Sequence, residues 1–65
     1  MKPTKEKSPT PDAVKRLRAK AGLTQKAAAA LVDKTEQTWK NWEAGRSPMD
    51  PAYKALFIMR SGLGD

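Results

Sequence analysis

The chain has 65 residues, a net charge of +6 and neither cysteine nor histidine. This length makes one domain that buries only about 60% of its unfolded surface and gains from oligomerising. Without Cys or His there is no disulfide, no zinc site of the usual ligand types, no thiol nucleophile and no imidazole base, so neither enzyme nor cofactor is expected. No apolar stretch approaches the roughly 18 residues of a membrane span and no signal-peptide core is present, so a soluble cytoplasmic protein with no membrane partner is expected.

Positive charge is concentrated at the N-terminus. Residues 1–22 hold Lys2, Lys5, Lys7, Lys15, Arg16, Arg18 and Lys20 against Glu6 and Asp12, a balance of +5, while residues 23–48 carry +1 and residues 49–65 none. Such a distribution suits a polyanion, although plain solubility charge gives the same count. Residues 1–9 (MKPTKEKSP) are polar, charged and Pro-containing, the composition of a disordered basic arm. Residues 10–65 then form the domain.

Thr10-Pro11-Asp12 is a helix start, with Thr as cap, Pro at the first helical position and Asp at the positive end of the dipole. The first helix spans about 11–21, turns Val14, Leu17 and Ala21 inward, and ends at Gly22. Thr24 caps a second helix over 25–32, whose QKAAAALV sequence contains only good helix formers or neutral residues. Asp33-Lys34 breaks it, Asp being tolerant of the left-handed conformation that a tight turn needs. Thr35 opens a third helix over 35–44 that stops at Gly45. After the loop Arg46-Ser47-Pro48, Asp50-Pro51 starts a fourth helix over 51–61, ended by Gly62. Neither a strand signal nor an internal repeat occurs.

Two short helices joined by a three- to four-residue turn in a basic chain describe a helix-turn-helix, which places its second helix in the DNA major groove. At about 100° per residue, Trp39 and Trp42 share one side of the third helix and Gln37, Lys40, Asn41 and Ala44 the other, with Glu36 nearer the edge. Gln and Asn match the adenine edge, Lys reaches guanine O6 and N7, and Glu accepts from cytosine N4. The competing view is an ordinary solvated surface. On the fourth helix, Ala52, Leu56 and Met59 form the expected core stripe, flanked by Tyr53 and Phe57, with Ile58 nearly opposite Leu56. So apolar a helix implies a second protomer covering Phe57, Ile58 and the Gly62-Leu63 segment, unless Ile58 is simply one exposed apolar side chain.

Leu17-Arg18, Gly22-Leu23-Thr24-Gln25, Ala29, Thr35, Trp39, Trp42-Glu43 and Gly45 together resemble the Cro/CI-type (XRE) helix-turn-helix family of phage and bacterial repressors. The likeness covers about residues 14–47 without a gap. It implies an all-α, compact four-helix lambda-repressor-like domain acting as a sequence-specific repressor, a homodimer on double-stranded operator DNA with no small-molecule substrate. It further implies base reading by Glu36, Gln37 and Asn41, with Thr38 and Lys40 near the backbone or groove wall, while the outward side of the third helix adds Lys40 to the expected readers. Contacts to the DNA backbone fall to Thr24, Gln25 and Thr38, with Gln25 also bracing a reader, and an Arg18–Glu43 ion pair ties the first helix to the third. Lys34, Arg46, Lys2, Lys5 and Lys7 complete the expected backbone set.

Three departures from the family pattern involve four positions. Asp33 stands at a usual Gly. Lys34 stands at a usual small apolar residue, which loosens the turn or frees Lys34 for phosphate. Ala28 replaces a usual Leu while Trp39 replaces a usual Ile or Val, a volume-conserving exchange. The chain also stops after its fourth helix, where many relatives have a fifth. In size and tryptophan pattern it looks like the small phage-encoded autoregulators, including the anti-CRISPR-associated repressors. The alternatives are an antitoxin-type regulator that also binds a protein, and a non-specific nucleic-acid binder.

Overall fold

Every helix starts at a side-chain oxygen that accepts a backbone N–H otherwise left unpaired. The computed structural model describes residues 8–63 and contains α1 (Pro11–Ala21), α2 (Gln25–Leu31), α3 (Glu36–Ala44) and α4 (Pro51–Ser61), with no strand among the described residues. Thr10, Thr24 and Thr35 accept from Ala13, Ala27 and Thr38 at 3.1, 3.1 and 3.2 Å, and Asp50 accepts from Ala52 at 2.8 Å. Pro11 and Pro51 stand at helix starts, where their missing N–H costs nothing. The arm expected over residues 1–9 falls mostly on residues 1–7, outside the described residues, and Lys2, Lys5 and Lys7 fall there with it.

The link between α2 and α3 is the tight turn that the sequence requires. α2 ends at Leu31, one residue short of the expected 32, because Val32 has already left helical geometry (φ −111°, ψ 21°) to bury its side chain. Asp33 follows at φ +59°, the sole non-glycine with positive φ among the described residues. The backbone N–H groups of Asp33 and Lys34 donate to the carbonyls of Ala30 and Ala29 at 3.1 and 2.9 Å, so the turn closes on hydrogen bonds despite its unusual residues.

Trp39 organises the core. It is fully buried with Val14, Ala28, Ala29 and Phe57, while Val32, Met49 and Trp42 are nearly so. Its ring centroid lies 5.3 Å from that of Trp42 and 5.2 Å from that of Phe57, and Trp42 lies 5.7 Å from Tyr53. These separations fall in the range where aromatic pairs add about 0.5–1.5 kcal/mol beyond burial. The large Trp39 and the small Ala28 share this one cluster, as the volume exchange requires.

The fourth helix departs from expectation. Phe57, expected at a protomer interface, is wholly inside the core and cannot meet a partner. Ala52 and Met59, expected inside, are exposed, Met59 at 70%. The helix is turned so that Tyr53 and Phe57 meet the two tryptophans; burying two rings outweighs burying one methyl and one thioether. Ile58 and Leu63 are half-buried. Met49, in the loop before α4, supplies a core side chain that helical periodicity cannot reveal.

Candidate nucleic-acid interface

The buried side of α3 fixes what its other side presents. With Trp39, Trp42 and Glu43 turned inward, Gln37, Asn41 and Ala44 are centred on the outward face, since residues advance by about 100°. Gln37 and Ala44 are exposed and Asn41 is half-buried. The Gln37 side-chain N–H donates to Asn41 Oδ1 at 3.1 Å. That bond leaves Gln37 Oε1 as a free acceptor and Asn41 Nδ2 as a free donor. The linked amides thus present the complement of adenine's N6 donor and N7 acceptor.

Glu36 and Lys40 lie on one edge of this face, paired with each other at 3.7 Å. Both are about half exposed, so the pair contributes no more than about 0.5 kcal/mol and either side chain can be released. Thr38, on the opposite edge, is half-buried and shares a hydroxyl–hydroxyl hydrogen bond with Thr35 at 3.0 Å. At the far end of α3, Gly45 adopts φ +80° and the Arg46 N–H donates to the Asn41 carbonyl at 2.9 Å. A side chain at Gly45 would be strained at that φ, although its Cβ would meet Pro11 only at an ordinary contact distance of 3.4 Å. Arg46 is left exposed just past the helix.

Glu43 anchors α3 from beneath. It is 6% exposed, yet its carboxylate accepts from Arg18 Nε at 2.6 Å, Arg18 Nη2 at 3.2 Å, Trp39 Nε1 at 2.6 Å and Gln25 Nε2 at 3.0 Å. Arg18 donates further to the Leu23 carbonyl at 3.2 Å. Burial alone pushes the Glu43 carboxyl up. The hydrogen bonds from Arg18, Trp39 and Gln25, with the guanidinium charge, more than offset this and hold it below its ordinary value. The hydrogen bond to Glu43 likewise raises Arg18. One carboxylate thereby joins α1, the start of α2 and α3, and no buried side-chain polar atom among the described residues lacks a partner.

Several side chains sit where sequence reasoning did not place them. Gln25 braces the buried Glu43, not a base reader. Lys34 is half-buried with its ammonium 4.7 Å from the centre of the Tyr53 ring, a cation–π contact joining the turn to α4. Thr24, by contrast, caps α2 as its sequence position requires, and its hydroxyl can still donate outward. Arg60, given no role by the sequence, donates to the Leu31 carbonyl at 2.9 Å and meets Asp33 Oδ2 at 3.3 Å. Its only sequence signal is a cation in the last turn of a helix, a commonplace. The tryptophan indole bond to Glu43 is equally unheralded, though Trp39 and Glu43 stand at i, i+4. No helix among the described residues is long and apolar enough to cross a membrane, and no cluster of acidic residues there could hold a metal ion.

Residues 12–56 match the family model described as "Helix-turn-helix domain". The chain belongs to the helix-turn-helix domain family. Its fold, with the outward face of α3 behind a tight turn, is that of the family, and the family assignment supports DNA binding. The chain is also 42% identical over 43 residues to the type II methyltransferase M.MspI of Moraxella sp. That match covers 66% of the chain but 10% of the methyltransferase, so it concerns one small segment of a much larger protein.

Proposed function

We propose that this helix-turn-helix domain is a sequence-specific DNA-binding regulator of the Cro/CI type, acting as a repressor and not as an enzyme. The observation that carries the reading is the hydrogen-bonded Gln37–Asn41 pair on the outward face of α3. With α3 in the major groove, Gln37 and Asn41 read an adenine, while Lys40 and Glu36 separate to contact guanine and cytosine. Thr24 and Thr38 donate their hydroxyls to phosphates, and Gln25 supplies a side-chain N–H beside them. Arg46 binds phosphate at the end of α3, and Lys2, Lys5 and Lys7 extend the contact along the duplex. Lys34 joins them only by leaving Tyr53, at a cost of about 0.5–1 kcal/mol.

Regulation of this kind uses two copies on an inverted repeat, with recognition helices about 34 Å apart. With Phe57 inside the core, self-association falls to Ile58 and Leu63. Repression of the chain's own promoter, as in the small phage autoregulators it resembles, extends the same reading. Selection from a pool of random duplexes, followed by footprinting of the enriched sequence, tests it. A recurrent inverted repeat with half-sites one helical turn apart is expected; enrichment of no sequence over random DNA overturns sequence-specific binding.

The Moraxella relative favours a second reading, in which the domain is a DNA-binding unit that serves a methyltransferase, a role that the methyltransferase match alone supports. Co-purification of a methyltransferase with the full chain at stoichiometric yield distinguishes it from a free-standing repressor.

A further inference from the structure

A second group of cations faces away from α3. A groove of about 260 Å³ between α1 and α4 is lined by Ala13, Arg16, Leu17 and Lys20 on one side and Lys54 on the other. Ala13 and Leu17 are half-buried and form an apolar floor, while Arg16 and Lys20 are exposed on its rim. Among the described residues, no acidic side chain lines it. Arg16, Lys20 and Lys54 form no salt bridge with another described residue, whereas Arg18, Lys40 and Arg60 do. On α1, Ala13, Arg16, Leu17 and Lys20 are centred about 150° round the helix from Arg18, at 100° per residue. Arg18 points to Glu43 of α3, so the groove opens on the far side of α1.

We propose that this groove docks an acidic segment of a partner protein, one that carries apolar side chains between its carboxylates. Three cations with no ion-pair partner among the described residues call for anionic groups, and an apolar floor calls for aliphatic side chains. A second copy of the chain fits poorly, because a two-fold contact would set these cations against their own equivalents in a protein of net charge +6. Residues 1–7 are also of the wrong sign, with three lysines to one glutamate. A DNA phosphate backbone satisfies the cations but leaves the exposed parts of Ala13 and Leu17, which otherwise sit half-buried on the protein, facing water. Because the groove and the outward face of α3 lie on different sides, a docked partner leaves α3 free. Docking in the groove does not depend on α3 binding DNA.

The test is a titration of the ¹⁵N-labelled full chain with a synthetic peptide of glutamates and leucines at helical i, i+3 and i+4 spacing. A control peptide carries serine at every leucine. Expected are shift changes concentrated at residues 13–20 and Lys54, with binding at least tenfold weaker for the serine control. The double variant Arg16→Gln/Lys20→Gln is expected to lose at least tenfold in affinity and to keep its thermal unfolding midpoint. Lys15→Gln/Lys26→Gln, which removes equal charge outside the groove, is expected to lose less than threefold. Equal losses in the two variants, equal binding of the two peptides, shifts centred on α3, or no binding at millimolar peptide would each overturn the proposal. Random-sequence duplex that shifts the groove residues more strongly than the peptide would assign the surface to phosphate instead.

Discussion

Arg60 reaches across 27 positions of sequence to Asp33, meeting its carboxylate at 3.3 Å while donating to the neighbouring Leu31 carbonyl at 2.9 Å. The contact holds the one residue that a helix-turn-helix of this pattern would be expected to make glycine. Asp33 sits at φ +59°, where a non-glycine residue bears about 1–2 kcal/mol of strain, less for Asp than for most. The same guanidinium satisfies a carbonyl at the end of α2, so α4 acts as a clasp on the turn that sets the angle of α3.

Asp33→Gly is expected to leave stability within about 0.5 kcal/mol of the parent. Relief of strain is offset by the greater freedom of glycine in the unfolded chain and by loss of an exposed ion pair. Asp33→Val, with a β-branched side chain at positive φ, is expected to cost about 1–2 kcal/mol. Arg60→Met should cost about 0.5–1.5 kcal/mol in either background, because its shorter bond goes to the Leu31 carbonyl. Urea denaturation of the parent, the three single variants and the Asp33→Gly/Arg60→Met double variant measures all three effects. A large loss for Arg60→Met only when Asp33 is present would transfer the role to the ion pair.

Glu43→Gln keeps the shape of the buried carboxylate but turns an N–H₂ group toward donors on Arg18 or Trp39. The expected cost is about 2–4 kcal/mol, since a buried charged network loses one partner while Arg18 retains some access to water. The pH dependence follows from the direction of the shift. The folded carboxyl titrates below its ordinary 4.5, so its contribution is complete above that pH and is lost as pH falls through the folded value. The stability gap between parent and Glu43→Gln should therefore be constant near neutrality and narrow below pH 4.5. A gap independent of pH down to acid unfolding would mean that the charge contributes nothing.

Most of this architecture is written locally. Thr10, Thr24, Thr35 and Asp50 mark the helix starts, Gly22, Gly45 and Gly62 the ends, and the two tryptophans the inward side of α3, because caps and periodicity act over three or four residues. The rotation of α4 is not local. Its Ala52-Leu56-Met59 and Tyr53-Phe57 rows are both apolar, and only the position of Trp39 and Trp42 chooses between them. Met49 and Arg60 were illegible for the same reason: each acts on residues distant in sequence. The carboxylate of Glu43 could be assigned to Arg18 only through family likeness, and its bonds to Trp39 and Gln25 required the fold.

Self-association is expected to depend on Ile58, which is half-buried within the protomer and lies beside Pro51 and Ala55 on the surface. Ile58→Asp should leave the helical circular dichroism and the unfolding midpoint nearly unchanged, because its side chain is not part of the buried cluster. Sedimentation on an inverted-repeat duplex should then find one protomer where the parent places two. Two protomers with unchanged affinity in this variant would remove Ile58 from the interface.

Specificity and affinity should separate along α3. Gln37→Ala and Asn41→Ala each remove one half of a hydrogen-bonded pair. Each is expected to cost about 1–3 kcal/mol on the selected site and little on random DNA, because base edges carry the discrimination. Arg46→Ala should weaken both about equally, as a phosphate contact does. Equal losses on the two DNAs for Gln37→Ala would make it a backbone contact.

The N-terminal lysines give the prediction with most at stake, because it rests on charge and chain length alone. Lys2, Lys5 and Lys7 lie within nine residues that span at most about 30 Å when extended, enough to follow the backbone or enter a minor groove beyond α1. Each lysine that neutralises one phosphate adds about 0.9 to the slope of log affinity against log salt. Removing residues 2–7 should thus flatten that plot by as much as about 2–3 units per protomer, with the largest loss of affinity at low salt. A purely solubilising tail predicts something different. Titrations of the full and shortened chains across a range of salt decide between them, and superimposable lines would mean that these lysines never touch DNA.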